Sequence, residues 1–559
     1  MQQLIECVPN FSEGRDMSII KQITDAVESV EGVRLLDVDP GKATNRTVVT
    51  FVGAPDLVVE AAFRAIKKAA EVIDMSKHKG EHPRMGATDV CPLIPVSGIS
   101  MEETAQYAHQ LGKRVGEELN IPVFMYEAAA TRPERKNLAT IRAGEYEGLS
   151  AKLKNPDWQP DYGTAEFNPG AGGTVIGARD FLVAYNVNLN TTSVRRANAI
   201  AFDVRENGRV KTDTKGKNVL DANGEVVRIP GACKSVKAIG WYIEEYGVAQ
   251  ISMNLTNINE TPLHIAFNEC CKSADRRGIR VTGSELVGLV PKSVLLDAGK
   301  YFLEKQKRSA GVSERELIHI AVKSLGLAEL APFDPQKKVI EYLLEDKTSS
   351  PLIHMTLTDF ADETASESPA PGGGSISAYV GALGISLGTM VANLSAQKKG
   401  WDAKIDYFSG VAERGQKIKN QLVKLVDADT QAFNQIMEAM KMPKASDDEK
   451  AARKSAMDAA TRNAIEVPLK VMETCLASME VIKEMAVSGN PNSASDAGVG
   501  ALCARTAVQG AALNVRINCV GFDDVTFVEN ALKKADHLLN KARVAETEIL
   551  AAVDQHIGI

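Results

Sequence analysis

At 559 residues the chain is too long for one hydrophobic core, and two to four domains are expected. A net charge of −7 with 5% aromatic residues, and no basic tract interleaved with aromatics, excludes a general nucleic-acid surface, so an anionic partner must meet local positive charge. The eight cysteines are scattered without paired Cys-x-x-Cys spacing, and the opening MQQLIECVPNF lacks a basic segment followed by a long apolar run; both fit a reduced, cytoplasmic setting.

Up to about residue 330, extended apolar runs alternate with helical patterns. VRLLDVD and RTVVTFVG read as strands, Pro55 opens a helix through DLVVEAAFRAIKKAAEVI, and Thr88 to Val96 reads as a strand. Ser100 and Glu103 match a capping box at the head of the next helix, and the strand IPVFMYEAA follows. A second set begins near Phe181 with FLVAYNVNL, a helix through VRRANAIAFDV, the strands SVKAIGWYI and VAQISMNL, and a helix opened by Pro262. Two α/β lobes are expected, each a layered α+β sandwich, over 1–180 and 181–330.

Residues 78–89 read HKGEHPRMGATD and contain His-x-x-Glu-His, the pattern of an inverted zinc-protease helix. Gly80 and Pro83 argue against a helix, because glycine is a poor helix-interior residue and proline pushes His82 away from the helical region. His82 is therefore expected in a loop at a sheet end rather than as half of a zinc site.

After Pro332 and Pro335 helical periodicity dominates, which predicts a linker over 331–352 and an antiparallel all-α bundle over 353–559, with Pro468 marking an interruption. Within it, Ser368 to Gln397 holds no charge, and Ile376 to Leu394 approaches membrane-spanning length. Its Ser377, Gly381, Gly384 and Gly388 fall near one helical face, which favours a buried helix closely approached by another; a membrane anchor is the rival. PAPGGGS places Gly372, Gly373, Gly374 and Ser375 at a helix start, where free N–H groups suit an anion or polar ligand edge. LVDADTQAF sets Asp427 and Asp429 on different faces of one helix; an inward carboxyl would be raised by desolvation and suited to moving protons.

VPNFSEGRD, NRTVVTFVG, GEHPRMGATDVCPLIPV and TVIGARDFLVAYNVNL resemble the transferase unit of the formiminotransferase-cyclodeaminase family, and APGGGSISAY, LVDADTQAF and GNPNSASDAGVGA resemble its cyclodeaminase unit. The PGKATNR segment and the stretch from Asn207 to Arg228 depart from the pattern as surface loops do. The resemblance implies transfer of a formimidoyl group from N-formimino-L-glutamate to N5 of tetrahydrofolate, then ring closure to 5,10-methenyltetrahydrofolate with loss of ammonia, as in histidine degradation. It places the transferase acid-base on His82 and the cyclodeaminase acid on Asp429. Folate contacts fall on Gly163, Thr164, Ala165, Glu166, Phe167, Asn168, Pro169, Gly170, Ala171 and Gly172. Gly372 to Ser375, Asp427 and Asp496 then surround the cyclodeaminase pocket. Asp39, ending a strand, is the expected orienter of the His82 ring.

The resemblance implies tetrahydrofolate as co-substrate, expected in its polyglutamylated form, and no metal; a homo-oligomer built from dimers is expected, with neither nucleic acid nor membrane as partner. Arg132, Arg135, Lys136 and Arg142 are candidates for holding the glutamate tail. The rival from another class is a non-catalytic folate-binding or assembly protein that retains the fold.

Overall fold

A computed structural model describes residues 3–42, 44–80, 83–345 and 351–558. The chain divides into two compact units, Met1–Asp297 with Leu325–Leu344, and Ala298–Ser324 with Glu345–Ile559. The first is built on sheets and the second is helical, in agreement with the expected class.

In the first lobe the strands are β1 (Leu4–Cys7), β2 (Asn10–Phe11), β3 (Arg34–Gly41), β4 (Arg46–Gly53), β5 (Thr88–Ser97), β6 (Val123–Glu127) and β7 (Thr174–Ala178). β1 and β2 both lie between β4 and β5, β3 pairs with β4, and β5, β7 and β6 run parallel. Helices α1 (Met17–Glu28), α2 (Pro55–Val72) and α3 (Met101–Leu119) supply Ile23, Ile66 and Leu111 to a core with Ile5, Phe51 and Leu93. Pro55 starts α2, and Ser100 with Glu103 form the expected reciprocal cap of α3. Strand alternation turns Phe124, Tyr126 and Val175 the other way, where they pack with Ile141 of α4 (Leu138–Arg142) and Leu149 of α5 (Glu145–Leu153).

The second lobe is an antiparallel sheet of β8 (Val183–Leu189), β11 (Val236–Ile243), β12 (Val248–Leu255) and β13 (Val281–Val287) in the order β11-β12-β8-β13. Its helices are α6 (Val194–Val204) and α7 (Leu263–Asp275), and a small pair, β9 (Arg209–Val210) with β10 (Arg228–Ile229), stands apart from the sheet. Its polar face carries a connected set: Trp241 donates to Gln250 at 3.0 Å, Gln250 to Asn188 at 2.8 Å, and Asn188 to Glu329 at 2.7 Å.

Two boundaries differ from the sequence expectation. Helices α8 (Lys292–Lys305) and α9 (Glu314–Leu325) lie largely in the helical unit, where Ala310 N–H donates to Ser409 Oγ and Asn393 to the Gly311 carbonyl. The expected linker 331–352 is partly structured: α10 (Pro335–Lys338) and α11 (Ile340–Leu344) belong to the first unit, and Arg34 binds the Leu343 and Leu344 carbonyls. Residues 346–350 of that linker lie outside the described residues.

The helical unit continues with α12 (Leu357–Thr364), α13 (Gly373–Ala396), α14 (Ile405–Lys441), α15 (Asp447–Ser488), α16 (Ala494–Cys519) and α17 (Val525–Ile557). The uncharged segment is α13, packed against α14, α15 and α16 with most of its small residues buried. Ser377 meets Gly510, Gly381 meets Ala507, and a Cβ on Gly384 would come 2.7 Å from the Gly500 carbonyl, so the small residues are what let α16 approach. Gly388 faces Ile482 of α15 instead.

Pro468 does not interrupt its helix, contrary to the expectation: α15 runs unbroken through it. Proline cannot donate to the carbonyl four residues earlier, but here the Asn518 side chain from α16 donates to Ala464 O at 2.7 Å and satisfies that carbonyl.

Candidate active sites

His82, the expected acid-base group, and Glu81 lie outside the described residues. The first histidine of the motif is described, and its ring is committed. Arg84 Nε points at His78 Nδ1 at 3.3 Å, and a guanidinium only donates, so Nδ1 accepts; Nε2 then carries the proton and donates to the Asn45 carbonyl at 2.9 Å. Neither ring nitrogen offers a lone pair to zinc in this arrangement. Beside it opens a cleft of about 420 Å³ lined by Lys79, Gly80, Arg84, Gly144, Glu145 and Glu147. Arg84 pairs with Glu147 at 2.7 Å and with Glu145 at 3.1 Å across it. These hydrogen bonds and charges hold the Glu147 carboxyl below its ordinary range, with Arg84 the main cause.

The stretch 163–172 borders the same region. Gly163 has φ +84° and packs on the Ile121 carbonyl, and Gly172 has φ +69° and packs on the Met85 carbonyl, so both need glycine. Between them Gly163 to Glu166 are exposed, while Asn168 caps the turn by accepting from Ala171 N–H at 3.0 Å. Phe167 meets the Tyr146 ring at 5.4 Å, and the Tyr146 hydroxyl donates to the Pro169 carbonyl at 2.7 Å. Tyr146 N–H in turn donates to the Arg84 carbonyl at 2.8 Å, tying this loop to the chain just beyond His82.

Asp39 lies opposite Val48 in the register of β3 with β4, so it shares a sheet face with Arg46 two positions along. Its charge also helps raise the Tyr246 phenol, after burial, Glu285 and Glu245. On this face Arg46 donates to Asn10 at 2.9 Å, and Asp89 receives Arg46 at 3.4 Å and Arg142 Nε at 3.2 Å. Burial lowers the Arg46 guanidinium to about 10, against the attraction of Asp89 and with repulsion from Arg142. Farther along, Glu6 is fully buried and pushed up to about 7 by desolvation, partly offset by Arg179. Sequence reasoning missed this polar face, because Asn10, Arg46, Asp89 and Arg142 are scattered through the chain and only the sheet assembles them.

The proposed tail-binding cluster does not survive folding. Arg135 is 1% exposed, pairs with Asp161 at 2.7 Å, and lies over the Phe124 and Trp158 rings. Arg142 is committed to Asp89, and Arg132 donates to the Asp157 carbonyl, which leaves only Lys136 of the four without a described commitment of its head group.

In the helical unit the two aspartates separate cleanly. Asp427 is 3% exposed and accepts from Leu352 N–H at 3.0 Å and Ile353 N–H at 3.2 Å, so both oxygens anchor the short turn before α12. That use corrects its placement in a substrate pocket. Asp429 instead sits over the first turn of α13, where Ser375 Oγ contacts its carboxylate at 3.2 Å, the Val426 carbonyl at 2.8 Å and Thr430 Oγ1 at 3.1 Å. Burial raises the Asp429 carboxyl, while the Ser375 hydroxyl and backbone N–H pull it down. Gly372 caps α13, Gly373 faces Asn514, and Gly374 lies directly under the Asp429 carboxylate. Asp496 is not with them. It lies eighteen residues before Asn514 on α16, about 27 Å away at the helical rise.

Models of known families match nearly all of this architecture in order: the formiminotransferase domain, N-terminal subdomain, over residues 4–179; the formiminotransferase domain over 184–345; and formiminotransferase-cyclodeaminase over 356–537. The chain is similar to the formimidoyltransferase-cyclodeaminase of Mus musculus, 43% identical over 99% of each chain, and to that of Dictyostelium discoideum, 43% identical over 98% of each. Over 54% of its length the chain is also similar to the glutamate formimidoyltransferase of Streptococcus pyogenes, 42% identical over 94% of that protein. With both lobes and the bundle matched in sequence and end to end, the chain belongs to the formimidoyltransferase-cyclodeaminase family.

Proposed function

We propose that His82 in the first unit and Asp429 in the second carry the proton transfers of two successive reactions on one folate. The chain is a bifunctional transferase and cyclodeaminase that takes tetrahydrofolate as its co-substrate. The observation that carries the reading is the full-length likeness to formimidoyltransferase-cyclodeaminases, together with a half-buried carboxyl held over a glycine-rich helix start.

In the first step N5 of tetrahydrofolate attacks the amidine carbon of N-formimino-L-glutamate. It loses its proton as the tetrahedral intermediate forms, and the departing glutamate nitrogen gains one; one imidazole serves both transfers. Asp39 orients that ring, and the loop Gly163–Gly172 receives the folate. In the second step N10 closes on the formimino carbon and ammonia leaves. Because this step is intramolecular, holding N10 against the carbon supplies much of the acceleration. Asp429, raised by burial, takes the N10 proton and returns it to the leaving nitrogen, with Ser375 donating to its ionised form.

Further parts of the reading are that the folate is polyglutamylated, that neither step uses a metal, that the pathway is histidine degradation and that the enzyme is cytoplasmic. We also propose a homo-oligomer built from dimers. Leu383, Met390 and Leu394 on α13 and Leu502, Leu513 and Ile517 on the adjacent α16 stand exposed, an apolar surface suited to a second copy of the chain. The test is direct. Purified protein given formiminoglutamate and tetrahydrofolate is expected to release ammonia and produce a methenyl absorbance. His82→Ala is expected to lose transfer by roughly 10²- to 10⁴-fold yet close supplied 5-formiminotetrahydrofolate normally; comparable transfer by the variant would refute the assignment.

A further inference from the structure

We propose that Asn45 and His78 are positioning residues for the transfer step, because with Arg84 they fix both ends of the short stretch that carries His82. The proposal rests on the reading of His82 as the acid-base group.

Asn45 is buried in the turn between β3 and β4, in a left-handed backbone conformation with φ 49°. Its Oδ1 accepts from Gly14 N–H at 3.0 Å, and its Nδ2 donates to the Lys79 carbonyl at 3.0 Å. Its own carbonyl accepts from His78 Nε2 at 2.9 Å. One residue therefore binds the segment before α1 and the entry to the histidine stretch. Gly80 completes the contact, since a Cβ there would strike the Thr44 carbonyl.

The exit is tied as firmly. The Arg84 carbonyl accepts from Tyr146 N–H, and its guanidinium pairs with Glu145 and Glu147. The same guanidinium reaches back to His78, with Nε at 3.3 Å from Nδ1 and Nη2 at 3.4 Å from the carbonyl. Entry and exit are thus clasped to one another as well as to the sheet. The geometry matters because a proton-transferring group misplaced by about 1 Å costs roughly 10²-fold in rate, and such groups are held by the hydrogen bonds of residues that never touch substrate. The first histidine of the motif thus has a task that needs neither metal nor substrate.

Asn45→Gly keeps the left-handed backbone without steric cost and deletes both side-chain bonds, while His78→Ala deletes both ring bonds. Each is expected to lower kcat for transfer by about 10- to 100-fold while KM for formiminoglutamate stays within about threefold. Ring closure of supplied 5-formiminotetrahydrofolate is expected to be unchanged in both. In a His82→Ala background each should cost less than about twofold more, because residues acting through one group do not add. If one variant does not fold, the other decides. Wild-type kcat in the folded variants, or a loss that multiplies in full with that of His82→Ala, overturns the proposal. Failure of the underlying reading is distinct, since His82→Ala alone would then transfer at the wild-type rate.

Discussion

The Asp429 carboxylate rests on the backbone of Gly374, with no room between them for even one methyl group. Gly374→Ala must therefore displace either the carboxylate or the first turn of α13. Cyclodeaminase activity is expected to fall by about 10²-fold or more, with transfer unaffected. Separate assays of the two steps measure this, and normal ring closure in the variant would remove Asp429 from the mechanism.

Asp427 and Asp429 should respond differently to the same substitution. Asp429→Asn keeps shape but cannot exchange a proton, so 5-formiminotetrahydrofolate is expected to accumulate while the unfolding midpoint hardly moves. Asp427→Asn turns an N–H toward one of the two N–H groups of Leu352 and Ile353, leaving a buried donor unpaired at a cost of about 1–3 kcal/mol. Its effect is expected in thermal stability. Loss of ring closure in a fully stable Asp427→Asn protein would show the roles to be exchanged.

Glu6 gives the first unit a defined pH dependence. Its folded carboxyl titrates at about 7 against an ordinary 4.5, so below 4.5 both folded and unfolded forms are protonated and burial carries no ionisation cost. Between 4.5 and 7 the unfolded chain ionises first, and wild-type stability falls; above 7 the loss is complete. At roughly 1.4 kcal/mol per pH unit it amounts to about 3 kcal/mol. Glu6→Gln should therefore gain stability over wild type as pH rises from 5 to 8, read from urea midpoints; a constant difference would mean that the carboxyl titrates normally.

Asn518 and Pro468 should be coupled. Asn518→Ala leaves the buried Ala464 carbonyl without its donor and is expected to cost about 1–3 kcal/mol. In a Pro468→Ala background the restored backbone N–H can serve that carbonyl, so the same substitution should cost much less. Equal costs in the two backgrounds would show that Asn518 acts elsewhere.

Much of the fold was legible because local patterns survive folding. Pro55 opened its helix, Ser100 and Glu103 capped theirs, and the small residues Ser377, Gly381 and Gly384 marked where α16 would approach. Pro468 misled because its missing bond is replaced by a side chain fifty residues later, which no local pattern contains. The four-residue basic cluster misled because nearness in sequence said nothing about Asp161 and Asp89, which neutralise two of its members.

The sequence by itself determined the order of two sheet-based lobes and a helical unit, the family, and the pair of carboxylates two residues apart on one helix. Only the tertiary structure decided that Asp427 anchors backbone while Asp429 faces the glycine-rich turn. Helical geometry sets the angle between two side chains, but rotation about the helix axis is set by packing against α13 and the turn at Leu352. The same holds for Asn45: its segment PGKATNR read as a surface loop, but Asn45 is buried, because the two segments it binds meet only after the sheet has formed.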